Sequence, residues 1–265
     1  MAPRRKILVI HRDITNHIIS VPLQHFLTQL TQIKGDNTLK LQSFIPLIFI
    51  IPFFVLLPVY ITAEKEERFK KATTLKLILS GLCCICALTG YLADGLKVDS
   101  LRILIVLGLF WAVLGDFFLQ YIRLDDKKYI LGIVSFSITQ LCLNIYLCMS
   151  YGLSWLEFIM TAIINIGVLI LMVAQKWVLG SAQIPLTVYT LLLAFMTSKS
   201  ILVMFDSNFT LSTITMALGA ILFMTSDVLL GIWNYHSYKR LHANFCWITY
   251  FLGILLISLS TWSLL

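Results

Sequence analysis

The sequence predicts an all-α membrane protein, a polytopic helix bundle with about eight transmembrane helices. Hydrophobic residues make up 59% of the 265 residues and charged residues only 12%, whereas soluble domains are close to half apolar and about a quarter charged. The apolar residues form long runs separated by short polar connectors, and crossing a bilayer needs about 20 such residues. These two observations exclude a soluble globular protein.

Eight apolar runs define the predicted helices. From their lengths we expect spans over about 43–62, 74–92, 101–121, 129–149, 156–174, 183–204, 211–233 and 245–264. No internal duplication of the kind found in many transporters is evident. The predicted organisation is therefore a polar, basic N-terminal segment (residues 1–42), poorly ordered or interfacial, followed by the transmembrane domain (residues 43–265).

The connector charges predict an orientation. The chain has 20 basic and 13 acidic residues, and most basic connector residues lie in the odd-numbered connectors, with only Lys97 and Arg102 in the even ones. Positive connectors face the cytoplasm, so both termini are expected outside or in a lumen, although the basic N-terminal segment argues against this. The sequon at Asn208 lies in an even connector and agrees with it.

The same charge surplus bears on partners and location. Basic connectors lie beside anionic lipid, so the net charge of +7 is no indication of nucleic-acid binding. We expect membrane lipids as partners and an integral multi-pass protein of the endoplasmic reticulum or another cell membrane.

Four charged residues fall inside the predicted spans: Lys76, Asp116, Lys199 and Asp227. A charge at the bilayer centre costs about 2.5–3.5 kcal/mol on insertion scales, so each needs a partner, a wet cavity or a function. Glu157 lies close to a span end and is interpreted as a solvated or interfacial charge.

Asp116 and Asp227 lie near the same end of the bundle, roughly 8–10 Å inside the odd-connector side at 1.5 Å per helical residue. Further polar residues in the spans, which we take as candidate substrate-binding residues, are Lys76, Gln140, Tyr189, Ser226 and Tyr250. We expect the two aspartates to share one water-accessible cavity. An apolar wall favours keeping one carboxyl protonated, which would supply a proton donor and a charge stabiliser.

A purely structural interpretation stays open. In it, Lys76 and Asp116 neutralise each other, and Asp227 is hydrogen-bonded to hydroxyl groups such as those of Ser226 or Thr225.

Several other chemistries find no support in the sequence. All five histidines lie outside the spans, so an intramembrane Ser-His-Asp triad or a histidine metal site is not expected. There is no nucleotide-binding glycine loop. We therefore expect no metal and no cofactor, with carboxylate acid–base chemistry remaining and Lys76 able to hold an anionic group such as a phosphate.

At these residues the chain resembles the lysoplasmalogenase (YhhN) family of eight-span membrane enzymes. The resemblance rests on GDFFL at 115–119 and LFMTSD at 222–227, with weaker matches at Lys76, Tyr189 and Tyr250. In order and spacing it covers about residues 45–264.

The resemblance implies hydrolysis of the vinyl-ether bond of lysoplasmalogens to a fatty aldehyde and glycerophosphocholine or glycerophosphoethanolamine. Such a bond is protonated at carbon, and water captures the resulting oxocarbenium ion. Asp116 and Asp227 would share the two catalytic roles, in an order left open. The lysophospholipid would enter from the leaflet with its phosphate toward Lys76.

Two positions depart from the family pattern. The family usually has a histidine where this chain has Gln140, and often a glutamine where it has Ile254. Glutamine cannot shuttle a proton at neutral pH. Two alternatives to the hydrolase therefore stay open: a proton-coupled transporter, or a catalytically inactive lipid-binding membrane protein.

Overall fold

The computed structural model describes residues 44–93, 100–120, 126–177, 179–235 and 240–262. The chain divides into two units, and every helix below belongs to the one that runs from Pro46 to Ser263. The predicted N-terminal segment, residues 1–42, lies outside the described residues, as do Lys97, Arg123 and Lys239 in the connectors.

The described residues form eight α-helices and no strand, which confirms the all-α fold. The helices are α1 (Leu47–Lys65), α2 (Phe69–Ala93), α3 (Ile103–Leu119), α4 (Asp126–Tyr151), α5 (Trp155–Ala174), α6 (Gln183–Asp206), α7 (Leu211–Tyr235) and α8 (Arg240–Leu259). Short 3₁₀ turns at Ser100–Arg102 and Gly180–Ala182 precede α3 and α6. Helices α1 to α7 are long and apolar enough to cross a membrane, and α8 has a shorter apolar stretch, Ala243–Leu259.

The helix ends differ from the predicted spans where polar residues continue or stop a helix. Helix α2 begins at Phe69, ahead of its apolar run, and the Thr73 hydroxyl donates to the Phe69 carbonyl at 2.8 Å. Helix α8 ends at Leu259, short of the predicted residue 264. There the Ser260 and Thr261 hydroxyls donate to helix carbonyls at 2.6 and 2.8 Å, a local bonding pattern that competes with helix continuation.

Six of the helices form a closed cycle of neighbours in the order α2, α3, α4, α6, α7 and α8, with α8 returning to α2. Helix α1 packs outside the cycle against α2 and α8, and α5 packs outside it against α6. Little of α5 is buried. The cycle places α3 and α7, which carry Asp116 and Asp227, in the same bundle with α8 beside both.

Helices α7 and α8 approach closely at a pair of glycines. A Cβ atom on Gly253 would lie 2.9 Å from the Phe223 backbone nitrogen and 3.0 Å from the Gly219 carbonyl oxygen. Small residues at such crossings let membrane helices pack backbone to backbone. The crossing lies within one turn of Tyr250 and about two turns of Asp227, so it sets the distance between these two helices at the candidate site.

The substitution Gly253→Ala should therefore force α7 and α8 apart and destabilise the bundle by about 1–3 kcal/mol, the usual cost of overpacking. The matched control is Gly81→Ala, because a Cβ atom at Gly81 meets no atom within 4 Å. Thermal unfolding in detergent micelles should show a lower midpoint for Gly253→Ala only. Equal midpoints for the two variants would contradict the close crossing.

A buried ion pair joins α5 to α6. The Lys199 ammonium contacts the Glu157 carboxylate at 2.5 Å and also donates to the Gly152 carbonyl oxygen. Glu157 is only 1% exposed, so its interpretation as a solvated charge was wrong. Ser154 caps the start of α5 by accepting a hydrogen bond from the Leu156 amide, which places Glu157 in the first turn, where it meets α6.

Removing one partner of this pair should cost about 3–5 kcal/mol, because the other charge stays buried and unpaired. We expect Lys199→Met to lower the unfolding midpoint strongly. The double variant Lys199→Met/Glu157→Leu should recover most of the loss, since no buried charge remains. A double variant as unstable as the single one would show that the pair itself is not the cause.

Candidate functional site

The first of two polar clusters is built around Asp116 on α3, and we call it the ion-pair cluster (Lys76, Asp116 and Tyr250). The Lys76 ammonium lies 3.3 Å from Asp116 Oδ1, and the Tyr250 hydroxyl donates to Asp116 Oδ2 at 2.7 Å. All three side chains are buried. The cluster therefore ties α2, α3 and α8 together through one carboxylate.

Aromatic rings enclose the Lys76 ammonium. It lies 4.8 Å from the centroid of the Trp247 ring and 6.0 Å from that of Tyr250, within the range of cation–π attraction. Tyr60 packs edge-on against Trp247. With its ammonium paired and covered in this way, Lys76 is the partner of Asp116 and does not line the cavity described below.

The second cluster is built around Asp227 on α7, and we call it the cavity cluster (Asp227, Tyr189, Ser226 and Gln140). The Tyr189 hydroxyl on α6 donates to Asp227 Oδ2, and Ser226 Oγ lies 3.4 Å from Oδ1. Gln140 on α4 is fully buried, and its side chain lies close to the Tyr189 hydroxyl. Within the described ranges, Asp227 forms no ion pair.

An apolar cavity opens beside this second cluster. Its lining is almost entirely apolar, and part of it is open to the surroundings. Asp227, Tyr189 and Phe136 line it, whereas Lys76, Asp116 and Tyr250 do not. Its walls come mainly from α4, α5, α6 and α7.

Aromatic contacts link the ion-pair cluster to the cavity wall, because the rings of Phe136, Phe223 and Tyr250 pack against one another. The centroid distances are 6.0 Å for Phe136 to Phe223, 6.0 Å for Phe136 to Tyr250 and 5.5 Å for Phe223 to Tyr250. Phe136 lines the cavity, and the Tyr250 hydroxyl donates to Asp116. Asp116 and Asp227 are nevertheless close enough for their charges to interact.

A comparison with known families identifies the chain's relatives. The model of the YhhN family matches residues 69–261, a span that contains both clusters and every helix from α2 to α8. The chain belongs to the YhhN family. No curated protein and no solved structure matches it significantly.

The structure brings together the residues that the sequence singled out in this YhhN-family protein, but in two clusters and not in one shared cavity. Asp116 is 1% exposed and absent from the cavity wall. The structural interpretation also describes part of what is found, because Lys76 does pair with Asp116 and Ser226 lies beside Asp227. Thr225 instead donates to the Ile221 carbonyl.

Sequence reasoning missed the apolar part of the site. Phe136 lines the cavity and packs against Phe223 and Tyr250, yet nothing in the sequence distinguishes the two phenylalanines from others in the spans. Trp177 also lines the cavity from the connector after α5. The sequence does indicate Trp177, because it is a tryptophan next to Lys176 just beyond the end of a predicted span. Among the described residues, no group of three potential metal ligands occurs.

Proposed function

We propose that this YhhN-family protein hydrolyses the vinyl-ether bond of lysoplasmalogens, releasing a fatty aldehyde and glycerophosphocholine or glycerophosphoethanolamine. The observation that carries the proposal is the position of Asp227: a carboxyl group that forms no ion pair with any described residue, in the wall of an apolar cavity, with a second carboxylate nearby. The family resemblance of the motifs around Asp116 and Asp227 supports the same activity.

The reaction needs a proton and a water molecule. An acid adds a proton to the vinyl carbon farther from the ether oxygen, and the carbon next to that oxygen becomes an oxocarbenium ion. Water adds to this carbon and loses a proton to the conjugate base of the acid, and the hemiacetal then breaks into aldehyde and alcohol. One water is consumed and the acid is regenerated, so the chemistry requires only a donor and a charge stabiliser.

We assign the donor role to Asp227. It lines the cavity where the substrate would lie, and the Tyr189 hydroxyl holds its carboxyl group in place. A carboxyl group in an apolar wall without a positive partner is costly to ionise. The same group would accept the proton released by the attacking water.

We assign the electrostatic role to Asp116. Lys76 and Tyr250 keep it as an oriented carboxylate, and the Tyr250 ring packs against Phe136 and Phe223. A fixed negative charge stabilises a cation that develops nearby, and the effect is larger where water is excluded. Asp116 would thus act on the oxocarbenium ion through space without touching the substrate.

The substitution Asp227→Asn should lower the turnover number about 100- to 10,000-fold, the usual contribution of a general acid. The matched control is Asp206→Asn, because Asp206 is an exposed aspartate at the end of α6. Aldehyde release from lysoplasmalogen by purified protein in nanodiscs measures both. Turnover in Asp227→Asn equal to that of Asp206→Asn would contradict the donor role.

The double variant Lys76→Met/Asp116→Asn tests the role of Asp116, because it removes both charges of the pair and leaves neither one unpaired. Removing both charges should preserve folding better than either single change, while removing the field that stabilises the oxocarbenium ion. We expect a near-normal unfolding midpoint and at least tenfold slower aldehyde release, since one tenfold step is about 1.4 kcal/mol in the barrier. Unchanged turnover would assign the pair a structural role only.

The wild-type protein also decides among the functions that the sequence left open. Folded protein that releases no aldehyde would contradict the hydrolase. If the same preparation takes up a solute into liposomes with a proton, the transporter explains the buried carboxyls instead. If it binds the lipid without turnover or transport, the protein is better explained as a catalytically inactive lipid-binding protein.

A further inference from the structure

Three aromatic side chains form the connector end of the cavity, and we call them the mouth aromatics (Tyr129, Trp177 and Tyr235). The Trp177 and Tyr235 rings stack with centroids 5.5 Å apart and planes 29° apart. The Tyr129 and Tyr235 hydroxyls are hydrogen-bonded at 2.7 Å. All three line the cavity, although they come from α4, α7 and the connector between α5 and α6.

The Trp177 ring is held in a defined place over α7. A Cβ atom on Gly231 would overlap the indole, so the ring lies directly against the glycine backbone. The indole nitrogen donates to Gln175 Oε1 at 3.2 Å. Gly231 is therefore required for Trp177 to reach the cavity.

The position of the mouth aromatics relative to Asp227 matches the dimensions of a lysolipid. Gly231 and Tyr235 follow Asp227 by one and two turns of α7, which is about 6 and 12 Å along the axis toward the connectors. In an extended lysoplasmalogen the phosphorus lies roughly 8 Å from the vinyl carbon that is protonated, as judged from ordinary single-bond lengths. With that carbon at Asp227, the phosphate and its alcohol would lie beside Trp177 and Tyr235.

The chemistry at this end differs from that of the rest of the cavity. Asn234 lines the wall there, and within the described part of the chain its side chain has no hydrogen-bond partner. Lys176, directly before Trp177, is exposed. Aromatic faces attract quaternary and primary ammonium groups, and amide and ammonium donors bind phosphate.

We infer that Trp177, Tyr235 and Asn234 form a head-group subsite, which takes the phosphate and ammonium groups of a single-chain phospholipid. The inference rests on the proposed function for the direction in which the lipid lies. Interfacial tryptophan and tyrosine residues commonly form a belt that faces the lipid, but these rings line the cavity and contact one another.

Binding of substrate analogues that cannot react tests this subsite separately from catalysis. The probes are 1-O-alkyl-glycerophosphocholine, 1-O-alkyl-glycerophosphoethanolamine and the head-free 1-O-alkylglycerol, which all have a saturated ether bond. Radiolabelled probes are bound at equilibrium to the purified full chain in nanodiscs. We expect Trp177→Ala to weaken the binding of both phospholipid probes about five- to tenfold. The same variant should weaken the binding of the alkylglycerol less than twofold.

The matched control is Trp155→Ala, because Trp155 lies at the other end of α5 and is 69% exposed. It should leave all three affinities unchanged. Gly231→Ala displaces the indole without removing it and should reproduce the selective loss, whereas Trp177→Phe keeps an aromatic face and should retain most of the affinity. These two variants test the subsite even if Trp177→Ala does not fold.

An equal loss for all three probes, or no binding of the phospholipids by the wild type, would overturn the subsite. The outcome is separable from that of the proposed function. Selective phospholipid binding without aldehyde release would refute the hydrolase and support the subsite. Aldehyde release with unselective binding would support the hydrolase and refute the subsite.

Discussion

The pairing of a buried lysine with a buried aspartate organises the centre of this protein. An unpaired charge is costly in the apolar interior of the bundle, and Lys76 takes Asp116 as its partner with Tyr250 as a third member. This contact joins α2, α3 and α8 and leaves Asp227 as the carboxyl group that faces the cavity without an ion pair among the described residues. The two aspartates therefore have different environments, which is the usual basis for different roles in acid–base chemistry.

Much of the fold follows from the sequence, because apolar runs of sufficient length have few alternatives to membrane helices. Asp116 and Asp227 lie near the ends of spans that lead into odd-numbered connectors. The sequence therefore also predicts that they lie near the same end of the bundle. The order of neighbours around the bundle could not be predicted, since α4 contacts α6 while α5 packs outside. Glu157 was misjudged for the same reason: its partner Lys199 lies on a helix whose position no local pattern reveals.

The structure places the predicted polar residues in two clusters and not in the single cavity that the sequence predicted. Polar residues stand out in an apolar sequence, so Asp116, Asp227 and Tyr250 could be found. Phe136 and Phe223 could not, because an apolar residue in a membrane span signals nothing until its neighbours are known. The result is a cavity with an apolar body, one carboxyl group in its wall and aromatic residues at its mouth, an arrangement that complements an amphiphile.

The central claim is that Asp227 meets the lipid while Asp116 is screened by Lys76. Labelling with dicyclohexylcarbodiimide tests it most directly, because this apolar reagent modifies protonated carboxyl groups that it can reach from the membrane. Peptide mass spectrometry should find the adduct on Asp227 and not on Asp116, and a saturated 1-O-alkyl lysophospholipid should reduce it. Modification of Asp116 instead of Asp227, or labelling of Asp227 that the lipid does not reduce, would contradict the account.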